Sequence, residues 1–198
     1  MADYSTAKPL LIVVMGPASC GKSSIGSDLA NSLSIPFIDG DDLHPAANVA
    51  KMSAGIPLTD EDRLPWLQVI RSTGEKVCRE QWDKSPRELG KLGRPAVVIP
   101  SSALKQWYRN ILRGDAEVKD TTPPKMETVF VYCKGTPELL AERIAARKGH
   151  FMKPSMLASQ LATLEDPSAE AGVVVVDISK SREEVSKAAL DGVLGLLQ

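Results

Sequence analysis

A short glycine-bearing stretch, residues 16–23, constrains the fold of this chain more than any other feature. It has the pattern G-x-x-x-x-G-K-S and stands between an apolar run, Leu10–Met15, and a helix-like segment that starts near Ser23. In that context the N–H groups of the loop point at phosphate oxygens, and the positive end of the helix dipole adds to the same point. The sequence therefore predicts a strand, a phosphate-binding loop and a helix in succession.

The residues of this loop have separate predicted roles. Lys22 is expected to reach the β- and γ-phosphates of a nucleotide and to take part in catalysis, and the Ser23 hydroxyl is expected to ligate Mg²⁺. The alternative is an ordinary surface turn with a lysine at a helix start. The residues predicted to bind ATP are Gly16, Ser19, Cys20, Gly21, Lys22, Ser23 and Ser24.

Apolar runs alternate with helical stretches along the rest of the chain. The runs are continuous rather than alternating, which is typical of parallel strands buried on both faces by helices. This pattern predicts an α/β fold with right-handed crossovers. Strands are predicted at 10–15, 35–38, 95–100, 128–133 and 173–177, and helices at 23–32, 46–52, 61–82, 103–112, 137–147, 155–164 and 181–196.

Composition narrows the class of protein further. The 198 residues suit a single domain, with a core over about 9–198, and the net charge of −1 gives no sign of a nucleic-acid or membrane partner. Residues 1–9 do not resemble a signal peptide, and no apolar run is as long as a membrane span. Three scattered cysteines suggest neither a disulfide framework nor a zinc site. We therefore expect a soluble, cytoplasmic protein.

An acidic turn follows the second predicted strand. Ligands bind at the carboxyl ends of parallel strands, so its carboxylates should face the phosphate loop. We expect Asp39 to orient Mg²⁺ and Asp41 to accept a proton from an attacking hydroxyl. An acidic cap for the next helix is the alternative, and Asp42 fits that role best. His44 completes the turn, either as a substrate contact or as a locally bonded histidine.

Basic residues elsewhere form three candidate groups. Lys105 and Arg109 are spaced i, i+4 and could hold an anionic substrate or form a solvated helix face. Arg143 and Arg147 have the same spacing and precede Gly149, which suggests a lid over phosphates at about 147–160 or a helix end favoured by the dipole. Arg63 could bind substrate or form an ion pair at a helix start.

Taken together, these motifs resemble the gluconokinase family. The resemblance runs from the loop through the acidic turn D-G-D-D-L-H-P at 39–45, a segment at 57–67 and S-A-L-K-x-x-Y-R at 102–109 to A-R-K-G-H-F at 146–151. The phosphate loop by itself is generic, whereas the second and fourth motifs in combination are far more specific.

The resemblance implies a nucleoside-monophosphate-kinase-like P-loop fold, with a five-stranded parallel sheet in the order 2-3-1-4-5. It implies ATP- and Mg²⁺-dependent phosphorylation of D-gluconate at its 6-hydroxyl, giving 6-phosphogluconate for the pentose phosphate pathway, and commonly a homodimer. By the same resemblance, Asp41 would activate the hydroxyl, and Arg143 and Arg147 would clamp the ATP phosphates, with Arg147 also a catalytic residue. The residues implied to bind substrate are Asp41, His44, Arg63, Lys105, Arg109 and His150.

Two other functions remain open from the sequence. A shikimate-type or nucleoside-monophosphate kinase would share the loop, the carboxylates and the lid. An ATP-binding sensor without chemistry would need only the loop. The chain lacks the N-K-x-D motif that reads guanine, which argues against a GTPase.

Overall fold

A computed structural model describes residues 8–82, 84–85, 88–115, 125–146 and 154–198. Within these residues the chain forms four strands and seven α-helices. The strands are β1 Leu10–Met15, β2 Ala96–Val98, β3 Glu127–Lys134 and β4 Val173–Asp177. The helices are α1 Lys22–Leu33, α2 Ala46–Ser53, α3 Asp60–Arg79, α4 Gln106–Arg113, α5 Pro137–Ala146, α6 Pro154–Thr163 and α7 Arg182–Leu196.

The strands form one parallel sheet in the order β2-β1-β3-β4. In its register, Leu10 lies opposite Ala96 on one side and Glu127 on the other. Every residue of the central strand β1 is fully buried, as its unbroken run of apolar side chains predicts for a strand covered on both faces. The predicted α/β fold with a parallel sheet is confirmed.

The prediction of a fifth strand at 35–38 is wrong. This segment makes a single parallel bridge, between Phe37 and Val98. The Pro36 carbonyl accepts from Val98 N at 2.9 Å and Ile38 N donates to Val98 O at 3.0 Å. Pro36 has no N–H to extend the ladder, so the segment borders the sheet without becoming a strand of it.

Helices cover both faces of the sheet and divide the core in two. On one face, Leu29 and Leu33 of α1 pack with Val185 and Val193 of α7 in the same buried cluster. The other cluster contains apolar side chains from α3 and α4, among them Trp66, Leu67, Ile70 and Tyr108. The carboxyl ends of β1 and β2 therefore open between α1 and α3, and the candidate site lies there.

Local signals account for some helix boundaries and not for others. Ser181 caps α7 in a reciprocal arrangement with Glu184, so this helix begins at Arg182, within one residue of the predicted start. Helix α4, by contrast, begins at Gln106 rather than at the predicted residue 103, because Ala103 has a positive φ of 43°. None of the helices in the described ranges is long and apolar enough to cross a membrane. The segments 82–94 and 114–126, whose charged, proline- and glycine-containing sequences favour loops, lie partly outside those ranges.

Candidate active site

The loop between β1 and α1 has the backbone that phosphate binding requires. Gly16, Ser19 and Gly21 all have positive φ values, of 139°, 61° and 95°. At Gly16 a Cβ atom would also lie only 2.9 Å from the Cys20 sulfur and 3.0 Å from the Cys133 carbonyl oxygen. Two of these positions therefore need glycine for conformation, and the first needs it for space as well.

Lys22 begins helix α1 and its side chain folds back over the loop. Its Nζ donates to the Pro17 carbonyl oxygen at 2.8 Å. Helix α1 lacks both a side-chain cap and an acidic residue in its first turn. The positive end of its dipole is therefore not neutralised by its own sequence, and this favours an anion at the loop.

The acidic turn forms a 3-10 turn, Gly40–Leu43, that is fixed on two sides. The Asp39 carboxylate accepts from Asp41 N at 3.1 Å. A Cβ on Gly40 would lie 2.0 Å from the Pro100 carbonyl oxygen, so this residue is pressed against the end of β2. On the other side, Trp66 Nε1 donates to the Gly40 carbonyl at 2.8 Å.

Asp41 lies at the cavity, and its surroundings favour the protonated carboxyl. Asp41 is solvent-exposed at the cavity, and partial desolvation by the atoms packed around its carboxyl raises its pKa above the ordinary aspartate value. The neighbouring Asp39 and Asp42 carboxylates act in the same direction, and the Lys22 cation opposes them. A carboxylate with a raised pKa that faces a phosphate loop is suited to accept a proton.

His44 is held as a neutral ring. Burial and the nearby Arg63 cation lower its pKa to about 4. The ring stacks on Trp66, with centroids 3.9 Å apart, and its Nδ1 lies 3.4 Å from Asn48 Nδ2. The Asn48 amide nitrogen can only donate, so Nδ1 accepts and the proton of the neutral ring is on Nε2.

Arg63 is a cation at the cavity without an acidic partner among the described residues. Its Nη1 donates to the Leu58 carbonyl and lies 3.5 Å from the Tyr108 hydroxyl oxygen. The Tyr108 hydroxyl in turn donates to Asp60, and the hydrogen bonds from Lys105 and from Tyr108 lower the pKa of that carboxyl. The guanidinium is thus positioned by neutral groups and keeps its charge for a ligand.

A cavity of about 570 Å³ brings the two halves of the site together. The phosphate loop and α1 line one side of it, and the acidic turn and α3 line the other. The predicted residues that line it are Ser19, Gly21, Lys22, Ser23, Ser24, Asp41, His44, Arg63 and Arg143. Arg143 also donates from Nη2 to the Ile178 carbonyl at 2.6 Å, which fixes α5 against the end of β4.

Lys105 and Arg109 do not line the cavity. Lys105 precedes α4 and forms an ion pair with Asp60 at 2.7 Å. Arg109 is completely buried, and its guanidinium donates to the Glu170 carboxylate and to the carbonyls of Ala103, Leu104 and Glu165. In this structure the donors of Arg109 hold the 165–170 segment instead of facing the cavity. Its substrate role stays a prediction.

Three other predicted residues support the site from outside the cavity. Gly16 N donates to the Ser102 carbonyl at 3.3 Å. The Cys20 side chain is buried; burial acts to raise its pKa, but a hydrogen bond with Cys133 and the Lys22 cation lower it overall. Asp39 does not line the cavity, and one of its oxygens is engaged by Asp41 N.

Part of the predicted lid lies outside the described residues. Arg147 and His150 belong to this undescribed part of the lid, so their predicted roles stay predictions. The described part is α6, which contributes three residues to the cavity wall: Met156, Ser159 and Gln160.

The sequence interpretation missed several lining residues. Trp66 lies within the 57–67 motif, and its position in the first turns of α3 was the available signal. Gln160 contacts the loop across a separation of 142 residues, which no local pattern reveals. The other lining residues not predicted are Ala18, Met52, Pro57, Leu58, Ser102, Ile144, Ala146, Met156 and Ser159.

Comparison with known proteins identifies the family. The family model for shikimate kinase matches residues 18–193. Fold and site thus define a P-loop kinase of that family, an enzyme that transfers phosphate to an alcohol group.

Individual relatives are more specific. The gluconokinase of Gluconobacter oxydans is 42% identical over 93% of this chain and 93% of its own length. The thermoresistant gluconokinase of Escherichia coli is 37% identical, with 91% of each chain covered. A crystal structure of a gluconokinase from Sinorhizobium meliloti superposes with a TM-score of 0.75 at 42% identity, covering 95% of this chain and 93% of that one. The chain belongs to the gluconokinase family.

Proposed function

We propose that this protein transfers the γ-phosphoryl group of ATP to the 6-hydroxyl of D-gluconate, giving 6-phospho-D-gluconate and ADP. One observation carries the proposal: a single cavity contains the phosphate-loop lysine Lys22 together with Asp41, His44 and Arg63. Lys22 belongs to the side of the cavity that would bind ATP, the phosphoryl donor. Asp41, His44 and Arg63 can bind the hydroxyl and carboxylate groups of a polyhydroxy acid. The identity of the acceptor, D-gluconate, is inferred from the gluconokinase relatives.

On the donor side, the start of α1 and the loop N–H groups other than that of Ala18, which bonds to Gln160, bind the phosphates of ATP. Lys22 exchanges its present acceptor, the Pro17 carbonyl, for phosphate oxygens and offsets the charge that develops during transfer. Arg143 lines the same wall and acts as a second cation for the phosphates. Arg147 is proposed to join it.

On the acceptor side, Asp41 accepts the proton of the 6-hydroxyl while that oxygen bonds to the γ-phosphorus and the bond from phosphorus to ADP breaks. Because the pKa of Asp41 is raised, its carboxylate is a stronger base than an ordinary aspartate. Neutral His44 offers Nε2–H to a neighbouring hydroxyl, and Arg63 binds the carboxylate of gluconate. His150 is proposed as a further contact.

Mg²⁺ fits the donor set. The ion prefers oxygen ligands and commonly combines one or two protein groups with substrate phosphates and waters. Ser23 lines the cavity at the start of α1, and the repulsion among Asp39, Asp41 and Asp42 is of the kind that a cation relieves. Ser23 would hold the ion and Asp39 would orient its waters. When bound, it would neutralise charge on the transferred phosphoryl group.

Shikimate is the second acceptor to consider, because the shikimate kinase family model matches this chain and shikimate is also a carboxylate with hydroxyl groups. Gluconate and shikimate, with AMP as a third acceptor, are compared in a coupled assay of ADP release. We expect turnover with gluconate to exceed the others by orders of magnitude. Turnover with shikimate or AMP and none with gluconate would replace the proposal; ATP binding with no transfer to any acceptor would favour a sensor.

The wider proposal includes a single nucleoside-monophosphate-kinase-like domain over 1–198, a lid at about 147–160, a homodimer, a cytoplasmic location and a place in the pentose phosphate pathway. The three cysteines are free thiols, which supports a reducing compartment.

A further inference from the structure

Gln160 of α6 is bonded to the phosphate loop. Its Oε1 accepts a hydrogen bond of 2.7 Å from the backbone N–H of Ala18. A backbone N–H can only donate, so the side-chain atom that faces it must be the oxygen. The orientation of the amide is therefore fixed, and its Nε2 is the atom left for another partner.

The same peptide group is held from its other end. Lys22 Nζ donates to the Pro17 carbonyl at 2.8 Å, and that carbonyl and the Ala18 N–H belong to one peptide bond. Their dipoles are aligned, so each hydrogen bond strengthens the other. Lys22 and Gln160 both line the cavity. Before nucleotide binds, the Pro17–Ala18 peptide thus links the loop lysine and the α6 glutamine.

The Nε2 group has no hydrogen-bond partner in the described part of the chain, although Gln160 lines the cavity. Since Gln160 Oε1 engages the Ala18 N–H, that loop donor is not free for a ligand. The glutamine amide supplies two N–H donors in its place. Neutral donors of this kind suit phosphoryl oxygens, on which negative charge is spread during transfer.

We propose that Gln160 is a catalytic residue whose Nε2 donates to the transferred phosphoryl group of ATP while its Oε1 remains on Ala18. This inference rests on the proposed phosphoryl transfer. It assigns to α6 a direct part in the chemistry, distinct from that of the lid cations, and it makes contact with the terminal phosphate depend on the position of α6.

The test uses two variants of Gln160 with different losses. Gln160→Glu keeps an oxygen for Ala18 N–H, removes both donors and adds a charge, whereas Gln160→Met removes the acceptor as well. Gln68→Glu is the matched control, because Gln68 is exposed on α3 and does not line the cavity. For each protein the affinities for ADP and for a non-hydrolysable ATP analogue are measured, with kcat, KM for gluconate and the melting temperature.

We expect Gln160→Glu to keep the wild-type melting temperature and its affinity for ADP, because the link to Ala18 persists. Its affinity for the ATP analogue and its kcat should each fall about tenfold or more, since a lost bond to a charged group and a new repulsion act together. KM for gluconate should stay within about twofold. Gln68→Glu should behave as wild type, which excludes a general effect of charge.

Three results would overturn the inference. Wild-type behaviour of Gln160→Glu would show that only the link to Ala18 matters. Equal losses for ADP and the ATP analogue would show a role in loop structure alone. Tighter binding of the analogue by Gln160→Met would show that Gln160 competes with phosphate. If wild-type protein binds nucleotide yet does not phosphorylate gluconate, the proposed function fails, whereas the comparison of ADP with the analogue still tests Gln160.

Discussion

The indole of Trp66 lies parallel to the imidazole of His44, with ring centroids 3.9 Å apart and planes inclined by 14°. The same indole donates from Nε1 to the Gly40 carbonyl. One side chain from α3 therefore fixes both ends of the turn that presents Asp41. This contact explains how a short polar turn can hold Asp41, the proposed base, and His44, the proposed hydroxyl contact, in a constant geometry.

Trp66→Phe should separate the two contacts, because it keeps an aromatic ring against His44 and removes the donor to Gly40. The unpaired carbonyl should cost about 1–3 kcal/mol of stability, and kcat/KM for gluconate should fall about tenfold as the turn loosens. Thermal melts and steady-state kinetics measure both. Trp82→Phe, at an exposed position outside the cavity, is the control, and unchanged kinetics in Trp66→Phe would contradict this role.

Asp41→Asn should lower kcat by about 10²–10⁴-fold, the usual contribution of a general base, and leave ATP affinity largely intact. Folding raises the pKa of Asp41, so its ionised form disfavours the folded state at pH values above that pKa and the penalty disappears below the ordinary aspartate range. The variant should therefore melt at the same temperature as wild type or higher at neutral pH. Activity within tenfold of wild type would exclude Asp41 as the base.

His44 should remain neutral throughout the range in which an ordinary histidine titrates. Since folding lowers its pKa to about 4, stability is unaffected above about 6.5 and declines as pH falls from there toward 4. The chain has two histidines, so NMR titration of their ring protons, assigned with His44→Asn, is direct. A His44 midpoint near 6.5 would contradict the desolvated, cation-flanked environment.

Arg109→Met should mainly lower stability, whereas Arg63→Met should mainly weaken gluconate binding. Arg109 is buried with Glu170, whose side chain is 17% exposed, and removal of one partner from a buried pair costs about 3–5 kcal/mol. Loss of Arg63 should instead raise KM for gluconate about tenfold or more and change the melting temperature little. A raised KM with full stability in Arg109→Met would support the predicted substrate role of Arg109 and contradict a structural one.

The features that could be predicted are those that depend on residues close together in the sequence. The phosphate loop follows from glycine at two positions with positive φ, and the buried sheet follows from unbroken apolar runs. The 35–38 segment has the same apolar character but only one bridge to the sheet, because pairing depends on which N–H groups meet a neighbour. A short apolar run does not reveal whether its N–H groups will meet a neighbouring strand, and Pro36 has no backbone N–H to donate.

The rest of the site depends on long-range contacts. Lys105 and Arg109 have helical spacing, but α4 begins between them at Gln106, and the two cations face different partners. The contact of Gln160 with Ala18 joins helix α6 to a loop at the opposite end of the chain. Such pairs arise from tertiary packing, which hydrophobic periodicity and capping signals do not specify.

The central claim is tested most directly by identifying the product formed from ATP and D-gluconate. The reaction mixture is followed by ³¹P NMR with correlation to the carbon-bound protons. We predict one phosphomonoester, coupled to the two protons on C6, that appears together with ADP and is absent with Asp41→Asn. No phosphorylated gluconate, or phosphate at another position, would contradict the account.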